Sequence, residues 1–294
     1  MKIIFSRKGF DSAAGGYASP IFPDGTLWSI PIPDNNNKMC YKDLKFTYES
    51  ESISNILNDF CHKRLVTAGK GAPCDYASED TKCHYDPQLM RDGNSKRIVL
   101  GQADAADGHL REHKVGKDDI FLFYGWYKEI KKTNNKWKYV RKTPDLHLIW
   151  GYMKVDKVIR LGTEEENKNI LKTYPFLKDH PHLETSFCEE SIKGNNSLYI
   201  SAPEKYRYFK YDENKCLTNI NSESIRRSEW RLPSFFNQPD AFTFLKEKNF
   251  KLDGSDVIIT YSGYGQEFIL DLDKVSDEIA RNKIDEYIQK IIKD

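Results

Sequence analysis

Between Ser6 and Asp11 the chain sets a hydroxyl, a guanidinium, an ammonium and a carboxylate within six positions, Ser6-Arg7-Lys8-Gly9-Phe10-Asp11, with Gly15-Gly16 close behind. An Arg and a Lys beside free backbone N–H groups suit a phosphate, and glycine lets the backbone approach a ligand closely. Arg7, Lys8 and Gly9 are therefore the expected phosphate-binding residues, and Ser6 and Asp11 the candidate catalytic groups next to them. The spacing excludes a P-loop, because no Gly-Lys-Ser/Thr closes it, and a dinucleotide fingerprint, because no G-x-G-x-x-G is present. Adjacent residues on an extended strand point to opposite faces. Arg7 and Lys8 can thus serve one ligand only if Gly9 begins a sharp turn. The competing reading is a hairpin with a wide polar turn, in which Arg7 pairs with Asp11 or Asp24 and Pro23-Asp24-Gly25 is ordinary turn chemistry.

Other groups capable of chemistry lie further along. In His84-Tyr85-Asp86-Pro87 a His stands two residues before an Asp fixed by Pro, which can hold a polar substrate or a metal, or simply make a turn. Gln102 offers an amide to a base edge, and His109 can exchange protons near neutral pH. His84, Asp86 and His109 join Ser6 and Asp11 as catalytic candidates. Cys61-His62, Cys74 and Cys83-His84 are dense in sulfur and imidazole, but this stretch has no C-x₂-C and no H-x₃₋₅-H pair. Buried thiols beside a surface loop over 68–81 explain it better than a zinc finger. His180-Pro181-His182 would put two imidazoles on one face of an extended segment, yet no third ligand lies in reach by sequence. The residues therefore assign no metal, and the cofactor is left unknown.

The segment Phe5–Ser12, with Gly15-Gly16 and Ser19-Pro20-Ile21-Phe22-Pro23-Asp24-Gly25, resembles the start of a bacterial and phage family, the third of the nucleotide-modification-associated domains. The resemblance continues through His84-Tyr85-Asp86-Pro87, Gly101-Gln102, His109-Leu110 and Phe121–Trp126. It reaches His180-Pro181-His182 and Trp230-Arg231-Leu232-Pro233, and so covers most of the chain. It implies a link to systems that make or handle modified DNA bases. It implies no particular reaction, and it carries over no catalytic residue.

These groups need elements to hold them. Lys2-Ile3-Ile4-Phe5 reads as a buried strand, and Ile53, Ile56, Leu57 and Phe60 as one face of a helix capped by Ser50 or Ser52. Arg97–Leu100 reads as a strand, with Gly101–Leu110 as a polar segment beyond its end. Ile120–Tyr127 is the strongest strand signal, apolar and aromatic after turn residues. It returns through Trp137–Arg141 to Leu146–Val155. This hairpin has the pattern of PUA-like barrels that read modified bases, with Tyr124, Trp126 and Trp150 as candidate base-stacking residues beside Gln102. Glu164–Tyr174 and a stretch from about Lys274, with Val275, Ile279, Ile284, Tyr287, Ile288 and Ile291 at helical spacing, read as helices.

The expected fold is α+β: a mixed or antiparallel sheet core with a few peripheral helices, forming a single domain over 1–294 or two poorly separated lobes. The length of 294 residues suffices for a full core. The formal net charge of +1 argues against a protein that coats DNA electrostatically. No apolar run approaches the roughly 18 residues of a membrane helix, and Arg7 and Lys8 interrupt any signal peptide. A cytoplasmic setting with reduced cysteines is expected.

Two functions compete. In one, the chain acts on a nucleotide or modified base, with Arg7 and Lys8 on phosphate and Asp11 with His84 or His109 moving protons. In the other it is a non-enzymatic reader that stacks a flipped base on its aromatic hairpin. A subunit whose polar loops only shape the fold is a third reading. The enzyme reading requires Ser6, Arg7, Asp11, His84 and His109 to share one pocket. The reader requires Trp126 or Trp150 in a concave basic site.

Overall fold

The computed structural model describes residues 1–63, 65–66, 77–93, 95–183, 194–261 and 267–293; Cys74 and most of the expected 68–81 loop fall outside them. The strands are β1 Lys2–Arg7, β2 Ser19–Ile21, β3 Ile32–Pro33, β4 Thr47–Tyr48, β5 Glu51–Ser52, β6 Cys83–His84, β7 Gln88–Asp92 and β8 Ser95–Ala103. They continue with β9 Ile120–Thr133, β10 Lys136–Tyr139, β11 Leu146–Arg160, β12 Asn196–Tyr208, β13 Glu229–Pro233, β14 Phe250–Asp253, β15 Asp256–Thr260 and β16 Glu267–Asp271. The helices are α1 Ile53–Phe60, α2 Asp104–Glu112, α3 Glu164–Thr173 and α4 Glu278–Lys293.

Nine strands form the main sheet, in the order β16-β1-β9-β11-β12-β8-β7, with β2 and β10 also paired to β9. β1 runs parallel to β9, and the other pairs along that path are antiparallel. The fold is therefore α+β around a mixed sheet, as the strand and helix patterns lead one to expect. Side chains alternate faces along a strand, and the two largest of the four buried clusters follow that alternation. Ile3 and Phe5 join Leu122 and Tyr124 in one cluster, closed by Trp230 and by Ile284, Ile288 and Ile291 of α4. Ile4 joins Phe121, Phe123, Leu100 and Ile269 in the other, with Leu110 of α2. Each such apolar side chain, fully buried, contributes roughly 1.5–3 kcal/mol.

β9 and β11 are the aromatic hairpin, extended outward by β10. Within β11 the register shifts between Ile149, opposite Tyr124, and Gly151, opposite Phe123. Trp150 is thus the extra residue of a bulge, a device that re-aims a side chain. Gly151 is needed beside it, because a Cβ there would stand 2.8 Å from the Arg207 carbonyl oxygen. The sheet path stays open among the described residues, but it rolls far enough for Gln102 on β8 to donate its side-chain N–H to Glu267 on β16.

Three local readings change. Gly101–Ala103 does not leave the sheet: it pairs with Leu198–Asn196 of β12, and α2 begins only at Asp104. His180-Pro181-His182 enters a 3-10 turn over Pro181–Leu183 in place of an extended segment. The terminal helix starts at Glu278, after a separate turn at Leu272–Lys274, and Ile279 lies outside its buried stripe, 67% exposed.

Candidate functional site

β1 ends at Arg7, and the Lys8 N–H still donates to the Tyr124 carbonyl at 2.8 Å. Gly9 then takes φ +85°, and a Cβ on it would fall 2.2 Å from Ser29 Oγ. Only glycine fits this turn. It swings the chain off the sheet so that Arg7 and Lys8, neighbours on a strand end, line one cavity of about 710 Å³. That volume lies in the range of small-molecule sites.

The same cavity is lined by Gly9, Asp11, His84, Asp86, Gln102 and Trp150. Eight of the sequence-selected residues therefore meet in one place. Four do not. Ser6 is fully buried and donates to Glu267 Oε1 at 3.0 Å. Tyr124 is sealed in the core, its hydroxyl without a hydrogen-bond partner among the described residues. Trp126 lies in a separate concavity, where its Nε1 donates to Asp145 at 2.7 Å and the Arg227 guanidinium stands 3.8 Å over its ring. His109 sits on α2 in another shallow depression, against Thr243 at 3.2 Å and stacked on Phe244. The five residues that an enzyme site was expected to unite are thus split: Arg7, Asp11 and His84 line the cavity, while Ser6 and His109 do not.

The cations are not bare. Arg7 pairs with Asp11 at 3.2 Å, as the competing reading anticipates, and Lys8 pairs with Glu267 at 3.4 Å. Asp11 Oδ1 also accepts from the Ala13 and Ala14 N–H groups, which holds the carboxylate in its turn. Lys210 likewise pairs with Asp24 at 2.8 Å, so the wall sets Arg7, Lys8, Lys45 and Lys210 against Asp11, Asp24, Asp86 and Glu267. Arg7 Nε and Trp150 Nε1 have no hydrogen-bond partner among the described residues. Trp28 stacks on Phe46 at 5.0 Å, and Trp150 on Tyr208 at 5.9 Å, giving the cavity flat aromatic walls.

At its inner side three donor groups converge. His84 Nε2 stands 3.2 Å from His182 Nε2. Asp86 Oδ2 lies 3.8 Å from the first and 3.7 Å from the second. Each group is held from behind. His182 Nδ1 donates to Asn196 Oδ1 at 2.8 Å, and His84 Nδ1 faces Asp34 Oδ2 at 3.4 Å. Asn37 ties that Asp34 oxygen at 2.5 Å. The backbone N–H of Gly101 donates to both oxygens of Asp86, at 3.0 and 3.1 Å, and His180 Nε2 lies 3.3 Å from Oδ1. Gly101 is also where the His182 ring packs on β8, since a Cβ there would come within 2.2 Å of the ring.

The charges follow from this packing. Burial works against a cation at His84, but the Asp34 and Asp86 carboxylates outweigh it and raise the imidazole to about 9. Burial and the neighbouring His84 charge press His182 down to about 3, against the pull of Asp86. Asp86 stays well below the usual carboxylate range, because its histidine partners overcome the cost of burial. Two imidazolium ions cannot share a 3.2 Å contact, so at neutral pH the pair carries one positive charge, on His84. On α2, burial and His113 lower His109 to about 4.

Sequence reasoning missed several of these positions. Asp34, Asn37, Asn196 and Glu267 are not among its candidates, and it pairs His182 only with its neighbour His180. The H-x-H and H-x-D spacings were visible; their meeting across 98 positions was not.

Fold and cavity together define a class: an α+β protein with a nucleotide-sized cavity walled by aromatic rings and cations, with a buried His–Asp–His cluster at its inner side. The chain belongs to the nucleotide modification associated domain 3 family, whose model matches residues 2–271. Comparison with curated proteins and with solved structures gives no match.

Proposed function

We propose that the cavity binds a nucleotide or an extruded DNA base, and that the chain acts on it within a DNA-base-modification or phage-conflict system. One observation carries this reading: the Arg7–Lys8 turn, the Gln102 amide, the Trp150 ring and the His84–Asp86–His182 cluster all face one cavity. In this reading Arg7 and Lys8 bind phosphate, assisted by Lys45 and Lys210. The base stacks on Trp150, and the cluster is the reacting end. His84 and Asp86 take the acid–base role. Asp11 positions Arg7, and Ser6 positions Glu267 beneath Lys8. His109 and Trp126 fall outside the proposed site.

The reader alternative keeps one supporting observation, the Trp150–Tyr208 stack on the cavity wall. The enzyme reading that needed Ser6 and His109 in the pocket fails. One built on the His84–Asp86–His182 cluster takes its place, because a pure reader has no use for three oriented proton-exchanging groups. The chain works as one domain in this reading, because both cores share the same sheet. A cytoplasmic setting agrees with the free thiols of Cys40, Cys61, Cys83 and Cys216.

Isothermal titration of wild type and Arg7→Ala against a nucleotide panel and short single-stranded DNA tests the reading. A charge-assisted hydrogen bond to phosphate is worth roughly 1.5–3 kcal/mol, so Arg7→Ala should weaken binding about ten- to a hundredfold. If the folded variant binds as tightly as wild type, Arg7 has no phosphate role. If wild type binds neither nucleotides nor DNA, the reading as a whole fails.

A further inference from the structure

We infer that His84 Nε2, His182 Nε2 and Asp86 Oδ2 form a binding site for one first-row divalent transition-metal ion, with its open coordination positions facing the cavity. The inference deepens the function proposed for the same cavity but does not depend on a nucleotide binding there. With an ion bound, His84 gives up its proton, and His84 and Asp86 act as ligands in place of the acid–base role they have without it.

The donor geometry carries it. Two nitrogens bound to one zinc ion at ~2.0–2.1 Å stand roughly 3.3 Å apart at a tetrahedral angle. The two Nε2 atoms stand 3.2 Å apart. Asp86 Oδ2, at 3.7 and 3.8 Å, completes a triangle that needs a shift of only a few tenths of an ångström. All three donor atoms lie within 4.8 Å of one another. A pair of imidazoles and one carboxylate, with further positions open, is a ligand set for iron(II) or zinc.

The surroundings argue the same way. Metal-binding histidines characteristically donate their other ring N–H to a carboxylate or carbonyl, which fixes the tautomer. Asn196 Oδ1 is an acceptor and takes the Nδ1–H of His182, which leaves the lone pair on Nε2. The Asn196 amide is itself oriented, since its NH₂ reaches the His182 carbonyl at 3.5 Å. Behind His84, Nδ1 meets Asp34 Oδ2 at 3.4 Å and the Asn37 side-chain amide at 3.2 Å. Gly101 bonds both oxygens of Asp86 and His180 lies on Oδ1, which orients Oδ2 beside the ring pair. The three ligands come from β6, from the segment after it and from the 3-10 turn at Pro181–Leu183, and each arrives with its own support. An N–H···N contact between two histidines would need neither the third donor nor that support. The three ligands line the same cavity as Arg7 and Gln102, where water or a phosphate oxygen would complete the coordination.

The test uses the full chain, stripped with chelator and titrated separately with Zn²⁺, with Fe²⁺ under anaerobic conditions, and with Mg²⁺ as a hard-cation control, all without nucleotide. The expected result is one equivalent of Zn²⁺ or Fe²⁺ at micromolar or tighter affinity, and no comparable Mg²⁺ binding. His84→Gln and His182→Gln should each weaken it about a hundredfold or more, with circular dichroism reporting the fold. Cobalt(II) loading of wild type gives a second readout: its visible spectrum should report imidazole-containing coordination of low coordination number, even if a variant fails to fold. Wild type that takes up no stoichiometric ion, or folded variants that bind as wild type does, would overturn the inference. Repeating the nucleotide titration on stripped and loaded protein separates the two proposals. Nucleotide binding without metal uptake sinks only the metal site, and metal uptake without nucleotide binding sinks only the nucleotide.

Discussion

Two parts of the molecule gather the same kinds of side chain to different effect. His84 and Asp86 on one stretch and His182 on another, 98 positions away, line one cavity and are each backed by a second polar group. His109, Glu112 and His113 also bring three potential donors within 4.8 Å of one another, but all lie on α2 or at its C-cap. There the spacing of one helical turn supplies the proximity. Glu112 is exposed, His113 Nδ1 bonds the His109 carbonyl at 2.9 Å, and His109 spends Nε2 on Thr243. Helical adjacency costs nothing to arrange and so signals little. Convergence of two segments 98 positions apart, with an orienting partner behind each ligand, has to be built by the whole fold.

That contrast can be broken most directly by removing each histidine pair. His84→Ala with His182→Ala should abolish stoichiometric binding of divalent transition metals, while His109→Ala with His113→Ala should leave the affinity within about twofold, since only the first set is backed as metal ligands are. Calorimetry on both double variants checks this. Equal losses, or a loss confined to the α2 pair, would reverse the assignment.

The next effect is on the support of the cavity cluster. Gly101→Ala inserts a methyl group within 2.2 Å of the His182 ring, on a strand whose backbone N–H also holds Asp86. Overpacking of this kind costs about 1–3 kcal/mol. The displaced imidazole should also lose metal affinity by about tenfold or more, as outer-shell changes do. Urea denaturation and metal titration would report the two losses together. Gly116→Ala, with nothing within 4 Å of its Cβ, is the control and should behave as wild type. Asp34→Asn should act more gently, at about tenfold in affinity with little change in stability, since it keeps the shape behind His84 and removes only the charge.

Why one region was legible and the other only half so follows from how each is encoded. The sheet was readable because the near-continuous apolar runs Ile120–Tyr127 and Ile3–Phe5, bounded by turn and charged residues, are local signals. The Gly9 turn was readable for the same reason, as a glycine at a strand end beside paired cations. The cluster was not, because His84 and His182 are joined only through the pairing of β8 with β12, which brings Gly101 opposite Leu198 and Asn196 behind His182. Trp150 was selected as an aromatic, but its route to the cavity wall is a bulge that no residue pattern in β11 announces. The sheet's roll was equally hidden, since it depends on Gln102 meeting Glu267 across 165 positions. Conversely, Trp126 and His109 have the right chemistry and face other surfaces, because residue type says nothing about which side of a rolled sheet a group ends on.

The smallest expected effect concerns pH, and it sharpens the contrast from the α2 side. His109 is held neutral in the fold: burial, with the charge of His113 close by at 4.4 Å between ring centres, lowers it from 6.5 to about 4. Between those values the unfolded chain binds a proton at this residue and the folded chain does not. Unfolding then takes up a proton, so stability rises with pH across the window. Stated from the other end, the contribution is fully present above about 6.5 and is lost as pH falls toward 4. Because the ring is only partly buried, solvent screening keeps the effect to about 1 kcal/mol or less. His109→Gln preserves a polar group against Thr243 and removes the titration. Urea midpoints of wild type and His109→Gln, measured from pH 7 to pH 4.5, should therefore diverge as the pH falls, with wild type losing more. Parallel curves, or a variant that loses more than wild type, would mean that His109 is charged in the folded protein, and that the α2 set holds more unspent capacity than its bonding to Thr243 and its stacking on Phe244 indicate.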